Sequence, residues 1–233
     1  MYMDIERLIF NEVTILIPLI LAIAVHEYAH VAMARFLGDS SGEAMGRLTL
    51  NPLAHIDPVW TVLVPAYFVY MQTMVGSLFA VPFFGAGKPA PYNPMKLDRK
   101  VFGKRLSMRT GTLLVALAGP VSNLVLFAIS TVILFVLVRT GFSLDDPKSP
   151  AVLVFRFALL NTGLAIFNMI PIVPLDGSKV LAGLLPGRLA DRYEELAGKL
   201  SWVLLILLFL GGAHYLLGPV QRLAAELLFA LVT

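Results

Sequence analysis

Four long apolar runs constrain what this chain can fold into more than any other feature. They lie at Ile9 to about Leu37, Thr110–Val138, about Ala151–Ile170 and about Leu200–Leu217. Each is long enough for an α-helix to cross a hydrocarbon core of about 30 Å. Glycine or proline stands near most of their ends, as expected where helices stop. Across the 233 residues, 58% are apolar and 14% charged, whereas ordinary soluble domains run at about 45–50% and about 25%. A chain of this size has too little interior to hide so many apolar side chains. A soluble globular enzyme is nearly excluded, and an all-α polytopic membrane protein is expected.

The absence of cysteine rules out a disulfide framework, an iron–sulfur cluster and thiolate chemistry. The net charge of +3 is small and unevenly placed, a pattern of membrane orientation rather than nucleic-acid binding. Asp39–Leu106 carries seven basic residues: Arg47, Lys88, Lys96, Arg99, Lys100, Lys104 and Arg105. Gly177–Lys199 adds Lys179, Arg188, Arg192 and Lys199, while the opposing segments hold only Arg7, Arg139, Lys148 and Arg222. The positive-inside rule puts the richer segments in the cytoplasm and the N-terminus outside, in a multi-pass protein of the cell (plasma or inner) membrane. The N-terminal MYMDIERLIF lacks the positive region of a signal peptide, so the first helix is read as retained. No repeat, low-complexity tract or linker divides the chain, and residues 1–233 read as a single integral membrane domain.

A fifth apolar stretch, Val59–Phe84, has both flanks on the basic side, yet one crossing would separate them. Two helical crossings need about 40 residues, and the stretch is shorter than that. A re-entrant hairpin bent near Pro65 or Gly76 is expected. Gly46–Leu50 and Lys88–Tyr92, on either side of it, read as short cytoplasmic β-strands that could hold an unwound substrate by strand addition. The whole then has about four to six transmembrane helices. The tail Pro219–Thr233 is amphipathic and either lies on the surface or dips in.

Chemistry concentrates in the first run at His26-Glu27-Tyr28-Ala29-His30. Histidines four apart share one helix face, so both imidazoles can reach one Zn²⁺, and Glu27 can accept a proton from water on it. Ionisable residues inside a membrane helix are costly and mark function. A second unusual site is Asn168-Met169-Ile170-Pro171-Ile172-Val173-Pro174-Leu175-Asp176-Gly177. Its prolines break the helix, and unwound backbone survives at membrane depth only when shielded or lining a wet cavity. Asp176 reads as a carboxylate in a polar pocket, with a short helix resuming over Gly177–Leu185. In the charge-based orientation the first and third runs point the same way, so the two motifs meet at one depth, His26 about 16 Å from Leu37. The second run adds Gly119-Pro120-Val121-Ser122-Asn123. There Gly119 permits close helix contact and Pro120 frees a carbonyl one turn earlier. Asn123 can hold a substrate carbonyl or steady an oxyanion, and it can equally make an interhelical hydrogen bond. His55 with Asp57 suits a turn, and Tyr2, Trp60, Trp202 and Tyr215 suit an aromatic belt.

HEYAH, GPVSN and NMIPIVPLDG, in that order over about residues 20–185, resemble the site-2 protease family of intramembrane zinc metalloproteases. Gly46–Pro52 and Gly85–Pro91 resemble its compact branch without PDZ or CBS domains. The resemblance implies Zn²⁺ held by His26, His30 and Asp176, with Glu27 as base. It also implies transmembrane protein or peptide substrates cut within the lipid bilayer, with the active site toward the cytoplasm. Homo-oligomerisation is left open. The alternatives are a divalent-metal transporter, for which only Glu12, Arg156 and Asn161 extend a polar path, and a non-proteolytic membrane scaffold.

Overall fold

A computed structural model describes residues 5–75, 87–88, 90–101, 103–207 and 213–232. The elements are α1 (Ile5–Phe36), α2 (Ser41–Ala44), α3 (Val64–Val75), β1 (Lys100–Val101), β2 (Lys104–Arg105), α4 (Met108–Arg139), α5 (Pro150–Asn168), α6 (Asp176–Leu184), α7 (Gly187–Leu207) and α8 (Ala213–Val232). Helix ends follow local chemistry. After α1, Gly38 adopts φ +117° and Asp39 N donates back to Ala34 O at 2.9 Å. Ser107 caps α4 by accepting from Thr110 N, and Ser149 caps α5 by accepting from Ala151 N.

Three described helices, α1, α4 and α5, are long and apolar enough to cross a membrane. The fourth expected crossing, about Leu200–Leu217, includes residues 208–212, which lie outside the described residues. Helix α7 already begins at Gly187, and α8 starts at Ala213. Residues 188–199 carry Arg188, Asp191, Arg192, Glu194, Glu195 and Lys199, which are polar but mostly good helix formers, so helicity runs upstream of the apolar segment.

Helix order is set by contacts along the whole length of α1. Glu6 pairs with Lys148 at 3.4 Å, Arg156 donates to Thr14 at 3.2 Å, and Leu19, Ala22 and Ile23 pack on Leu160, Leu164 and Phe167. These contacts ascend together, so α1 and α5 are parallel. Helix α4 runs antiparallel to both, with Ala34 and Leu37 near Val115, and Leu134 near Ala151 and Ala158. The tail does not lie apart as a surface helix. Leu217, Ala224, Leu228 and Val232 form a buried stripe of α8 that follows α5 back from Leu160 to Ala151. Much of the exterior is apolar as well, with Ile9, Ile17, Leu21, Val125, Ile129 and Val132 exposed, as suits a surface facing hydrocarbon.

The Val59–Phe84 stretch begins with a π-helical turn, Pro58–Leu63, capped by Asp57 accepting from Val59 N and Trp60 N, and continues as α3. Gly76 and Phe83–Phe84 lie outside the described residues. Where description resumes, Lys88 N donates to His55 O at 2.8 Å, so the two flanks of the stretch meet. The flanking strands are not seen among the described residues. Residues 46–50 are turn and bend, with Gly46 at φ +70°, and the described part of Lys88–Tyr92 has no ladder. Arg47 N closes onto Gly42 O, while Pro89 and Pro91 lack the donor a ladder needs. Among the described residues, strand pairing is confined to Lys100–Val101 with Lys104–Arg105.

Candidate metal centre

His26 and His30 sit one turn apart on α1, rings edge to face at 4.6 Å between centroids, both buried against α4. Asp176 reaches them from the start of α6, because α5 cannot continue past Pro171 and Pro174. The chain folds under the end of α5 and restarts as α6 at Asp176. A side chain at Gly177 would collide with the carbonyls of Met169 and Ile170, so glycine is what allows this close return. The outcome is a near-equilateral triangle. His26 Nε2 and His30 Nε2 are 3.0 Å apart and lie 3.1 and 3.0 Å from Asp176 Oδ2. No other group of three potential ligands converges this way among the described residues.

The donor set fits a cation. His30 Nδ1 donates to Val115 O at 2.7 Å and His26 Nδ1 to Asn123 Oδ1 at 2.6 Å. Both imidazoles therefore turn bare Nε2 lone pairs toward each other and toward a carboxylate oxygen. Three such acceptors at 3 Å in a buried pocket repel unless a positive ion lies among them. Tetrahedral zinc, with bonds of about 2.0–2.2 Å to N and O ligands, wants its ligand atoms about 3.3 Å apart, close to what is seen. Lys179 approaches the other oxygen of Asp176 at 4.0 Å.

Residues 147–208, which hold α5, the proline-broken turn, α6 with Asp176 and all of α7, match the model of peptidase family M50. Over 208 residues, 88% of this chain and 84% of the relative, the chain is 32% identical to the "Putative zinc metalloprotease YwhC" of Bacillus subtilis (strain 168). The chain belongs to peptidase family M50. No solved structure matches it. The resemblance to site-2 proteases, read from three short motifs, thus holds at the level of the family, and the transporter and scaffold readings are not favoured.

Within this M50 chain, four neighbours of the triangle have roles that spacing alone did not reveal. A methyl group at Gly119 would stand 2.6 Å from His26 Nε2 and closer still to His30 Nε2. The glycine is needed less for helix packing than to leave the space between the imidazoles empty. A side chain at Gly87 would press on Ile23 and on Glu27 at Cγ and Oε1, so the segment after the undescribed stretch passes directly over Glu27. The carbonyl meeting His30 belongs to Val115, not to the residue one turn before Pro120. Asn123 is fully buried behind His26, its oxygen held by the imidazole and its nitrogen directed to Asn161 Oδ1 at 2.9 Å. His55 stands apart from the metal group and binds Thr49 O at 2.8 Å, the turn role expected for it. Tyr92, beyond Gly87, has its phenol pushed up first by burial and then by the charge of Asp176.

Proposed function

We propose that this chain is an intramembrane zinc endopeptidase that hydrolyses peptide bonds within transmembrane segments, with zinc held by His26, His30 and Asp176. The observation that carries this is the buried triangle of three lone-pair atoms on α1 and α6. Zinc, when bound, supplies Lewis acidity that acidifies water and polarises a carbonyl. Glu27, adjacent to His26 and nearly buried, takes the proton at its carboxylate and returns it to the leaving amine. Asn123 orients His26. A helical substrate hides its carbonyls in hydrogen bonds, so it unwinds before it is cut.

The site opens toward the cytoplasm and the N-terminus lies outside. The basic bias of Asp39–Leu106 and Gly177–Lys199 supports this orientation. The stretch from Val59 to Phe84 enters and leaves on that same side, a reading supported by the Lys88–His55 hydrogen bond between its flanks. Residues 1–233 act as one membrane domain, a reading supported by three apolar clusters that tie α1, α4, α5 and α8 together.

The test pairs metal analysis with cleavage of a panel of single-span proteins. Wild type is expected to carry one zinc per chain, and Glu27→Gln to keep that zinc while cleaving about 10²–10⁴-fold more slowly. Zinc-free wild type, or unchanged cleavage by the Gln variant, overturns the proposal.

A further inference from the structure

Asn161 lies fully buried on α5, one helix away from the metal triangle, and makes no contact with it. It stands at the end of a chain of hydrogen bonds across three helices. Asn161 Nδ2 donates to Phe157 O at 2.9 Å, Asn123 Nδ2 donates to Asn161 Oδ1 at 2.9 Å, and Asn123 Oδ1 accepts from His26 Nδ1 at 2.6 Å.

A side-chain amide is nearly symmetric in shape, and Asn123 taken alone can turn either end to His26. The two choices have opposite consequences. With Oδ1 facing the ring, Nδ1 carries the proton and Nε2 offers a lone pair. With Nδ2 facing the ring, the proton moves to Nε2, where it occupies the position a metal needs. The direction is decided at the far end, because a backbone carbonyl only accepts. Phe157 O takes the Asn161 amide nitrogen, which turns Asn161 Oδ1 toward Asn123. That in turn fixes Asn123 Nδ2 toward α5 and its oxygen toward α1. His30 needs no relay, since its Nδ1 meets the Val115 carbonyl directly.

We infer that Asn161 is a positioning residue that sets the tautomer of His26 through Asn123, so that Nε2 is free to bind zinc. This rests on the metal centre proposed above. Losing a partner of this kind lowers metal affinity by about 10–100-fold.

The experiment measures zinc affinity by chelator competition, together with ¹⁵N shifts of His26 in the metal-free protein. Wild type is expected to show the Nδ1–H form. Asn161→Leu, which removes the amide at similar volume, is expected to weaken zinc about 10-fold and to populate the Nε2–H form. Asn123→Asp makes the relay unnecessary, because a carboxylate can only accept from His26. In that background Asn161→Leu is expected to leave zinc affinity unchanged or to improve it. Wild type in the Nε2–H form overturns the inference even if Asn161→Leu fails to fold. Equal loss from Asn161→Leu in both backgrounds also overturns it, as does a Leu variant binding zinc like wild type. Wild type without zinc would instead sink the metal centre itself.

Discussion

The two halves of α1 treat their polar residues in opposite ways. Toward its C-terminus, His26 and His30 are engaged by α4 and α6 at once, and the His26 and Asp176 side chains are 8% and 11% exposed. Toward its N-terminus, Glu6 and Lys148 form an ion pair with side chains 83% and 71% exposed, and Arg156 reaches the Thr14 hydroxyl and the face of Phe10. Glu12 Oε2 is buried there with no hydrogen-bond partner among the described residues. The difference shows what fixes register in a bundle that is apolar inside and out. Leu and Val can slide against one another at little cost, whereas a set of polar atoms whose partners come from three helices is satisfied in one arrangement. The C-terminal half is specified by its site, and the N-terminal half is merely joined.

The strongest way to break this contrast is to occupy the space the site keeps empty. Gly119→Ala puts a methyl group between the imidazoles and is expected to abolish stoichiometric zinc and cleavage together, with helix content by circular dichroism retained. Zinc at one per chain in that variant would refute the triangle. Removing the metal is next. With free zinc at 100 times its dissociation constant, chelation is expected to cost about 2.7 kcal/mol of stability, read as a lower unfolding temperature in detergent. Glu6→Gln should fall by the same amount as wild type. Asn123→Ala is expected to weaken zinc about 10–100-fold.

Asp39, just past the end of α1, sharpens the comparison through pH. Burial opposes its ionisation, but bonds from the Ser41 hydroxyl and from the Asn93 and Ser41 amides, with Lys96 nearby, hold its carboxyl below the usual range. A lowered folded-state value means its stabilisation is complete above the unfolded carboxylate range and disappears as pH falls through the lowered value. The stability gap between wild type and Asp39→Asn is therefore expected to be widest at neutral pH and to close in acid. Lys148→Ala should have the smallest effect, within about 1 kcal/mol and without change in zinc content, as for exposed ion pairs generally.

Much of this molecule could be read without coordinates. The spans of α1, α4 and α5 follow from apolar length, and the break before Asp176 from two prolines. The common direction of α1 and α5 follows from where lysine and arginine fall. HEYAH places two imidazoles on one face because a helix turns about 100° per residue. What stayed hidden depended on how the helices are rotated against each other. The Val115 carbonyl meets His30, Gly119 faces the imidazoles, and α8 covers α5. Asn161, which in the sequence is only a lone amide in an apolar run, stands behind Asn123. The expected strands are not seen among the described residues, where Gly46 takes a left-handed conformation and Pro91 lacks a donor.

The sequence by itself determined the three membrane-length helices, which residues carry candidate metal-binding atoms, and that the two motifs approach from the same direction. These depend on local periodicity, on bilayer thickness and on charge counted along one chain. Only the tertiary structure decided which atoms meet at 3 Å and which end of each buried amide faces which helix. Those choices belong to contacts between residues far apart in sequence, and they are settled by packing and by the need to pair every polar atom withdrawn from water.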